Sequence, residues 1–328
     1  MTYKALLVTE SAPKVFDHAI VQRELSELPE NDTLIKVQWS SLNYKDALSF
    51  SGNKGITRKY PHTPGVDAAG IIEESPTLAK GTEVIVVGFD LGMNTSGGLA
   101  EYIRVPSEWV IEKPVGYSLR EAMILGTAGF TAGQCVERLL QNGLTPDKGE
   151  VVVTGATGGV GSVAVALLAA AGFEVVAASR NPETAAWLMD LGAKRIISAD
   201  ELTEDSGKPM LKGLWAGAVE TVGGKTLEVL TKSMQHRGVI TCCGMITGME
   251  LNTNVFPFIL RGLSLIGIDS AECPLDQKKA LWHKLSTEWK SNQLDALCRE
   301  ISLEETPEAL KNMANGKTRG RTVVKIDA

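Results

Sequence analysis

Short runs of apolar residues, several of them alternating with polar ones, fill the chain up to about residue 120. Glycine and proline separate these runs, which are YKALLV, TLIKVQWSSL, AAGIIEE, TEVIVVG and LAEYIRV. Closely spaced strands with turn residues between them are typical of a compact, mostly antiparallel barrel or sandwich. The pattern therefore predicts a β-rich N-terminal domain.

From about Val151 the pattern changes to two alternating kinds of segment. Short apolar β-rich runs such as EVVVTGA and FEVVAASR are separated by helical stretches such as VGSVAVALLAAAG. Strands that alternate with helices form a parallel sheet covered on both faces. We predict a doubly wound α/β domain over residues 124–295, and the final β-run, RTVVKI, predicts that the tail returns to the N-terminal domain.

Length and composition exclude several classes of protein. A chain of 328 residues exceeds the usual size of one hydrophobic core, which agrees with two domains. A net charge of −6 without any Lys/Arg-rich run argues against nucleic acid and anionic membranes as partners. No apolar stretch reaches membrane-spanning length and the N-terminus lacks the pattern of a signal peptide, so we expect a cytoplasmic enzyme or binding protein.

The cysteines and histidines give no sign of a metal site. The five cysteines form no C-x-x-C arrangement, and the four histidines lie far apart in the sequence. Structural zinc sites usually show closely spaced pairs of these residues. We therefore expect reduced, mostly buried thiols and no bound metal.

A glycine-rich turn follows the first strand of the predicted α/β domain, in the segment EVVVTGATGGVGSVAVALLAAAG. Glycines let the backbone approach a pyrophosphate, and the next helix presents free N–H groups to it. The spacing is G-x-x-G-G-x-G rather than the standard fingerprint, and tight packing of the turn is the alternative explanation. The predicted cofactor contacts in this turn are Thr157, Gly158, Gly159, Val160 and Gly161.

The end of the second strand of this domain indicates which dinucleotide binds. NAD-binding proteins place an acidic residue there for the ribose 2′-hydroxyl, whereas this chain has Ser179, Arg180 and Asn181. A hydroxyl, a guanidinium and an amide suit a 2′-phosphate, so NADP(H) is the predicted cofactor. Arg195, at the start of the third strand, is either a second phosphate partner or an exposed strand-end charge.

Motifs along nearly the whole chain resemble those of the medium-chain dehydrogenase/reductase superfamily. They are LNYKDAL, PHTPGVDAAGIIEE, GGLAEYIRVP, LGTAGFTAG and GATGGVGSVA. The resemblance implies an α/β fold with a GroES-like catalytic domain over 1–123 and 296–328, and a Rossmann NADP(H)-binding domain over 124–295. It also implies an active site in the cleft between these domains. Relatives often dimerise through an edge strand of the nucleotide domain, so the resemblance further implies a homodimer formed through the strand that contains LSLIGID.

The chain departs from the zinc-dependent members of that superfamily. Those members place a cysteine ligand where this chain has Asn43 and Tyr44, and Gly-His-Glu where it has Gly65, Val66 and Asp67. A valine cannot ligate a metal, so catalytic zinc is not expected. Reduction of an activated C=C bond needs only modest polarisation, and the closest resemblance is to the bacterial acrylyl-CoA reductase group.

Three residues, Tyr44, Asn43 and Asp67, are predicted to form the catalytic site, with Asp46 as a further support. Tyr44 either donates a hydrogen bond and a proton or only packs on the nicotinamide while water supplies the proton, because an ordinary tyrosine is a weak acid. Asn43 either orients the substrate carbonyl or caps the strand end. Asp46 and Asp67 are expected to support the site by hydrogen bonds.

The resemblance also implies nicotinamide contacts outside the glycine turn. Thr127 is such a contact or, alternatively, a cap at a helix start. Cys243, Ile268 and Ser270 lie at strand ends beside the expected nicotinamide, and Asn315 closes over the cofactor. Buried thiols are the commoner explanation for the adjacent cysteines, rather than redox chemistry.

The leading functional hypothesis is NADPH-dependent reduction of an enoyl-CoA thioester, acrylyl-CoA to propanoyl-CoA. An NADPH:quinone or general enone reductase is the alternative enzyme. A third class is a nucleotide-sensing or nucleic-acid-binding protein without activity, although the acidic chain lacks the basic face expected of a nucleic-acid binder. If coenzyme A is the carrier, Lys54, Arg58 and Lys59 are either partners for its phosphates or charges of a solvated loop.

Overall fold

The structure is a computed structural model that describes residues 1–291 and 293–326. The chain divides into two compact units. The first unit contains Met1–Thr127, Ala271–Glu288 and Leu297–Ala328, of which residues 327 and 328 lie outside the described part. The second unit contains Ala128–Ser270 and Trp289–Ala296, of which residue 292 lies outside it.

The secondary structure follows the predicted change from strands to alternating strands and helices. The N-terminal part contains β1 (Thr2–Ala12), β2 (Val15–Glu24), β3 (Thr33–Ser41), α1 (Tyr44–Phe50), β4 (Asp67–Glu74), β5 (Glu83–Val87), β6 (Tyr102–Val105) and β7 (Ile111–Glu112). The middle part contains α2 (Leu119–Gln141), β8 (Val151–Val153), α3 (Gly159–Ala170), β9 (Val175–Ser179), α4 (Ala185–Asp190), β10 (Arg195–Ser198), β11 (Trp215–Glu220), α5 (Gly224–Ser233), β12 (Met234–Cys242), α6 (Phe256–Arg261) and β13 (Ser264–Gly267). The last part contains α7 (Leu275–Ser286), α8 (Leu294–Leu297), β14 (Cys298–Ser302), α9 (Thr306–Ala314) and β15 (Arg321–Lys325).

The first unit is built on a seven-stranded sheet, with β1 and β2 forming a separate antiparallel pair. The sheet order is β14-β15-β3-β4-β5-β7, and β6 pairs with β3. Strand β15 pairs antiparallel with β3, which confirms that the tail returns to the N-terminal region. Ile35, Val84 and Val324, from three of these strands, are fully buried in one hydrophobic cluster, so the tail contributes to the same core.

The second unit is a six-stranded parallel sheet in the order β10-β9-β8-β11-β12-β13. Chain order runs outward from β8 in both directions, which is the doubly wound arrangement predicted from the sequence. The three valines of β8 have no accessible surface, as expected of a central strand covered on both faces. In such sheets ligands bind outside the carboxyl ends of the strands, where the order reverses. The predicted fold class is therefore confirmed.

Helix α7 belongs to the first unit, although the predicted boundaries assign it to the second. Lys278 of α7 is fully buried, and its Nζ donates hydrogen bonds to Val87 O (2.9 Å) and Ala271 O (3.0 Å). The same Nζ lies 3.4 Å from the ring centroid of Phe89, a cation–π contact. The bond to Val87 attaches α7 to the end of β5 in the seven-stranded sheet. The division of the chain into domains at 1–123, 124–295 and 296–328 stays a prediction from the family resemblance.

None of the helices in the described part of the chain combines the length and hydrophobicity needed to cross a membrane.

Candidate active site

A buried carboxylate, Asp67, lies at the centre of a polar cluster in the first unit, which we call the Asp67 cluster and which contains Ser41, Asn43, Asp67, Thr127 and Arg321. It is the first residue of β4 and has no accessible surface. Its oxygens accept hydrogen bonds from Ser41 Oγ (2.6 Å), Asn43 Nδ2 (2.7 Å) and Thr127 Oγ1 (2.6 Å), and from the Thr127 N–H (2.9 Å). A buried carboxylate needs such donors in place of water. Asp67 thus fixes side chains from three separate parts of the chain.

Arg321, the first residue of β15, supplies the positive charge of this cluster. It is 2% exposed, and its guanidinium lies 3.7 Å from Asp67 Oδ2. Its donors reach four acceptors: Ile124 O (2.8 Å), Leu42 O (3.1 Å), Asn43 Oδ1 (3.2 Å) and Ser41 Oγ (2.8 Å). Burial lowers the pKa of Arg321, and the nearby carboxylates of Asp67 and Asp46 raise it. The cation therefore has both charge and hydrogen-bond partners.

Asp46 is a second buried carboxylate, at the third position of α1. It accepts hydrogen bonds from the N–H groups of Asn43 (2.7 Å), Gly65 (3.0 Å) and Val66 (2.9 Å). The bond to Asn43 closes the start of the helix, as acidic residues at this position often do. Burial, and then the charge of Asp67, raise the pKa of Asp46 to about 7.

The side-chain amide of Asn43 is fully engaged within this cluster. Its Nδ2 donates to Asp67 (2.7 Å) and to Ser41 O (3.3 Å), and its Oδ1 accepts from Arg321 (3.2 Å). An amide has two donor hydrogens, and both are used here. The structure therefore favours a positioning role at the strand end, while contact with a substrate carbonyl stays a prediction.

Tyr44 is the predicted catalytic residue that projects to solvent. It is the first residue of α1 and its side chain is 43% exposed, in contrast to buried Asn43 and Asp46. Within the described part of the chain, its hydroxyl makes no hydrogen bond. The LNYKD stretch thus combines a buried half, which fixes the backbone, with an accessible phenol.

A break inside α2 brings Thr127 to the cluster. Gly126 has a φ of 51°, which is outside the helical region and favours glycine. A side chain there would collide with the carboxylate of Asp67 and lie 2.7 Å from Ser41 Oγ. The break frees the N–H of Thr127 for Asp67, so the carboxylate of Asp67 caps the second helical segment. The predicted nicotinamide contact of Thr127 is untested.

The positions that hold zinc ligands in zinc-dependent members of the superfamily are occupied by different residue types in this chain. The side chain of Val66 is a buried hydrocarbon, and its N–H donates to Asp46. Among the described residues, no group of three or more His, Cys, Asp or Glu side chains is arranged to hold a metal ion.

In the second unit, the glycine turn forms a tight cradle before α3. Gly155 has a φ of 54°, and a Cβ there would collide with Thr221 Oγ1. A Cβ on Gly161 would collide with Gly155 O and lie 2.8 Å from Ala156 Cα. The turn brings the start of α3 against the end of β8, with the first N–H groups of the helix available to an anion. The residues present therefore fit a pyrophosphate, and the five predicted contacts from Thr157 to Gly161 lie there.

The residues predicted to bind a 2′-phosphate lie at the carboxyl end of β9. Ser179 Oγ accepts a hydrogen bond from Asn181 N (3.1 Å) and contacts Thr184 Oγ1 (2.9 Å), and Asn181 Oδ1 accepts from Glu183 N (2.9 Å). These bonds shape the turn. Arg180 is exposed, and its guanidinium has no hydrogen-bond or ion-pair partner in the described residues, so it is the group best placed to bind phosphate.

The prediction that Arg195 is a second phosphate partner is wrong. Arg195 begins β10 and pairs with Val176, three residues before Ser179, which is about 10 Å along the strand. It makes a two-point contact with Glu150, at 3.1 Å and 2.7 Å, at the opposite end of the sheet from the glycine turn. A strand-start residue cannot reach the carboxyl edge of a parallel sheet, so the alternative of a strand-end charge holds.

The other predicted nicotinamide contacts of the second unit lie at the correct edge of its sheet. Cys243 follows β12, and its N–H donates to Glu220 O (3.0 Å). Ile268 follows β13 and donates to Cys242 O (3.0 Å), with Ser270 two residues further on. These placements agree with the predicted contacts without testing them.

The adjacent cysteines, Cys242 and Cys243, are half-buried thiols with raised pKa values. Burial, followed by the charge of Glu220, raises the pKa of Cys242 to about 11. A hydrogen bond with Cys135, followed by burial, raises the pKa of Cys243. Thiols that stay protonated are poor nucleophiles, which favours packing over redox chemistry.

Asn315 lies in the first unit, at the end of α9. It is exposed, and its Nδ2 donates to Lys311 O (2.9 Å) at the helix terminus. This bond explains its position as a helix cap. Its predicted contact with the cofactor is untested.

Sequence reasoning missed Arg321 and Glu220, which are buried charged residues at strand ends. Arg321 is a basic residue at the start of an apolar strand, and Glu220 is an acidic residue at the end of one. A charged residue next to an apolar strand was the sequence signal that could have identified both. Glu220 has no accessible surface and accepts hydrogen bonds from Val222 N (2.8 Å), Gly223 N (2.8 Å) and Thr154 Oγ1 (3.2 Å). Burial raises the pKa of Glu220.

Family models match both parts of the chain. The model described as alcohol dehydrogenase GroES-like domain matches residues 29–115, and the model described as zinc-binding dehydrogenase matches residues 159–286. The first match confirms the GroES-like prediction for the β-rich region.

Individual proteins match over almost the full length. "Putative quinone oxidoreductase YhfP" of Bacillus subtilis is 45% identical over 327 residues, 99% of each chain, and the crystal structure of yhfP with NAD bound superposes with a TM-score of 0.95, covering 99% of this chain and 100% of that one. "Probable acrylyl-CoA reductase AcuI" of Escherichia coli is 44% identical over 92% of this chain and 93% of its own. The yhdH oxidoreductase of Salmonella enterica, crystallised with NADP, has a TM-score of 0.95 at 42% identity, covering 100% of both chains.

These matches confirm the resemblance drawn from the motifs. With 45% identity to a full-length relative, the chain belongs to the medium-chain dehydrogenase/reductase family, in the zinc-free group of quinone oxidoreductase-like and acrylyl-CoA reductase proteins.

Proposed function

We propose that this oxidoreductase reduces the activated C=C bond of an enoyl-CoA thioester with NADPH, converting acrylyl-CoA to propanoyl-CoA. The observation that carries the proposal is the hydrogen-bonded cluster of Asn43, Asp67 and Arg321, which holds Tyr44 accessible where zinc-dependent relatives bind metal. Such a site polarises a carbonyl with hydrogen-bond donors rather than a Lewis acid. The E. coli relative named as an acrylyl-CoA reductase supports the thioester as substrate.

NADP(H) is the cofactor that fits the second unit. The glycine turn would hold the pyrophosphate, and Arg180 would pair with the 2′-phosphate. The Salmonella relative, crystallised with NADP, supports this choice, while yhfP, crystallised with NAD, makes the preference at Arg180 worth measuring. Bound NADPH supplies the hydride that the β-carbon of the alkene receives.

Tyr44 has the direct role in this proposal. Its exposed hydroxyl donates a hydrogen bond to the thioester carbonyl, which stabilises the negative charge that develops on that oxygen. Asn43 and Asp67 hold the start of α1 and are positioning residues. The α-carbon then takes a proton from Tyr44 or from water, so one proton is consumed for each alkene reduced.

The test is NADPH oxidation with acrylyl-CoA, crotonyl-CoA and simple quinones, using wild type and Tyr44→Phe. We expect turnover of acrylyl-CoA and a fall in kcat of about 100-fold in the variant, the usual size of a lost proton donor or oxyanion contact. Lys45→Met is the neighbouring control and should retain activity. Unchanged kcat in Tyr44→Phe would assign the proton to water and leave Tyr44 as a packing residue.

The alternative activity is quinone reduction, which the name of the Bacillus subtilis relative favours. Turnover of quinones but of no thioester would replace the thioester proposal. NADPH binding without turnover of any conjugated carbonyl would instead support a nucleotide-sensing protein.

We also propose a homodimer formed through the second unit. Strand β13 ends its sheet, so among the residues that the structure describes one of its edges is unpaired. Neighbouring Val255, Phe256, Ile259 and Leu260 are exposed apolar residues. Exposed apolar surface of this kind marks an interaction site. Light scattering should give twice the 35.1 kDa chain mass, and Ile259→Asp, but not Met189→Asp, should give the monomer. A monomeric wild type would contradict the homodimer proposal.

The cytoplasmic location stays a prediction.

A further inference from the structure

One stretch of the first unit is basic although the whole chain carries a net charge of −6. We define the basic loop as residues 51–60, which follow α1 and contain Lys54, Arg58 and Lys59 but no acidic residue. Charge of one sign in a short segment attracts ligands of the other sign.

Hydrogen bonds hold the basic loop in a fixed conformation. Asn53 O accepts from Ile56 N and Thr57 N, both at 3.0 Å. The buried Thr57 Oγ1 lies 2.7 Å from Ser49 Oγ of α1, and Tyr60 Oη donates to Ser49 O at 2.6 Å. Side chains carried by an ordered loop lose less entropy when they bind a ligand.

The three cations differ in their partners. Lys54 forms an ion pair with Glu10 and lies 4.6 Å from the ring centroid of Tyr60. Arg58 and Lys59 are exposed, and in the described part of the chain their side chains form no ion pair or hydrogen bond. Two adjacent cations are therefore available to an anionic ligand.

Besides Glu10, a second carboxylate, Asp90, is linked to the loop and opposes anion binding. The Arg58 N–H donates to Asn94 Oδ1 (3.2 Å), and Asn94 Nδ2 donates to Asp90 Oδ1 (2.9 Å). Asp90 also accepts a hydrogen bond from Thr95 Oγ1 (3.1 Å). Asp90 thus has its own donors, and the guanidinium of Arg58 is free to point elsewhere.

The loop lies one helix length from the proposed site of reaction. Ser49, to which Thr57 is bonded, follows Tyr44 by five residues, which is about 7.5 Å along α1. Arg58 and Lys59 come directly after Thr57. In an acyl-CoA the flexible pantetheine arm separates the thioester from the phosphates, so one ligand can contact Tyr44 and the basic loop together.

We propose that Arg58 and Lys59 bind the phosphates of the coenzyme A carrier. The inference rests on the proposed function and adds the subsite for the nucleotide end of the substrate. The guanidinium matches a phosphate with two parallel hydrogen bonds, and the ammonium adds a point charge. The basic loop therefore selects thioesters of coenzyme A over the same acyl group on a carrier without phosphate.

The test compares two substrates that carry the same acyl group, acrylyl-CoA and acrylyl-pantetheine, on Arg58→Ala/Lys59→Ala. We expect KM for acrylyl-CoA to rise about tenfold or more, since charged hydrogen bonds are lost, with kcat unchanged. KM for acrylyl-pantetheine should stay the same. Lys208→Ala/Lys212→Ala removes two exposed charges of the second unit and is the matched control, expected to behave as wild type.

Calorimetry of free coenzyme A with wild type and variant keeps this inference separate from the proposed function. Weaker binding to the variant, with unchanged thermal stability, supports the subsite even if acrylyl-CoA is not turned over. Equal KM values for acrylyl-CoA in wild type and variant overturn the inference and leave the reductase proposal intact. Absence of any coenzyme A binding to wild type overturns both.

Discussion

The two units organise their functional residues in opposite ways. The Asp67 cluster draws its members from the ends of β3, β4 and β15 and from the break in α2, so residues 41 and 321 meet in one hydrogen bond. The glycine turn uses one continuous segment between β8 and α3. The cluster is held by charge and hydrogen bonds between distant residues, and the turn by the absence of side chains. Substitutions in the Asp67 cluster should therefore mainly lower stability, whereas substitutions in the glycine turn should mainly weaken cofactor binding.

The largest effect is expected from Arg321→Met. This change removes the cation and leaves buried Asp67 and Asp46 without their positive partner, and losing one member of a buried ion pair costs about 3–5 kcal/mol. Denaturant unfolding should record this loss, and Lys325→Met, at the exposed end of the same strand, should change stability by less than about 0.5 kcal/mol. Equal stability of the two variants would mean that the cation is not needed.

Gly161→Ala should distort the glycine turn of the second unit and leave the Asp67 cluster of the first unit unchanged. The added Cβ would meet the backbone at Gly155 and Ala156, which must move and spoil the cradle. We expect the Kd for NADPH, measured by fluorescence titration, to rise at least about tenfold. Gly267→Ala, where a Cβ meets nothing within 4 Å, is the control, and similar Kd values in both variants would refute the cradle.

The pH dependence of stability should distinguish Asp46 from ordinary surface carboxylates. Its pKa rises from an ordinary value of 3.8 to about 7 on folding, so the folded protein holds an extra proton between these values and stability falls as pH rises through this window. The stability advantage of wild type over Asp46→Asn should shrink by about 2 kcal/mol from pH 5 to pH 8.

Urea unfolding at the two pH values measures this difference. Any constant cost of the asparagine, which has one acceptor fewer for the three backbone N–H groups, cancels in the comparison. Asp190→Asn, at an exposed position, should show no such pH dependence. An advantage that grows with pH would show that Asp46 is ionised at low pH.

The smallest effect is expected from Arg180→Ala in the second unit. Loss of one charge-assisted pair should raise the Kd for NADPH about tenfold and leave the Kd for NADH unchanged. Arg195→Ala should alter neither value, because its guanidinium is bound to Glu150 away from the cofactor edge. An equal loss of NADPH affinity in both variants would restore Arg195 as a phosphate partner.

The sequence predicted local features well and distant contacts poorly, for a physical reason. The glycine turn, the strand–helix alternation and the end of β9 are properties of neighbouring residues, so pattern alone located them. Arg321 and Asp67 meet only because β15 pairs with β3; the β-run RTVVKI predicts that the tail returns, but no local pattern encodes which strand it joins. The prediction for Arg195 failed for the reverse reason. Its residue type suits a phosphate, but the direction of its strand places it at the amino edge of the sheet, away from the cofactor.

The position of Arg321 in the chain has a consequence for biosynthesis. A ribosome adds residues at about 5–20 per second, so Asp46 and Asp67 are made well before their cation emerges. The whole parallel sheet of the second unit is synthesised in the interval. A nascent chain in which β15 is still missing carries Asp46 and Asp67 without this cation, so the Asp67 cluster forms only after β15 has left the ribosome.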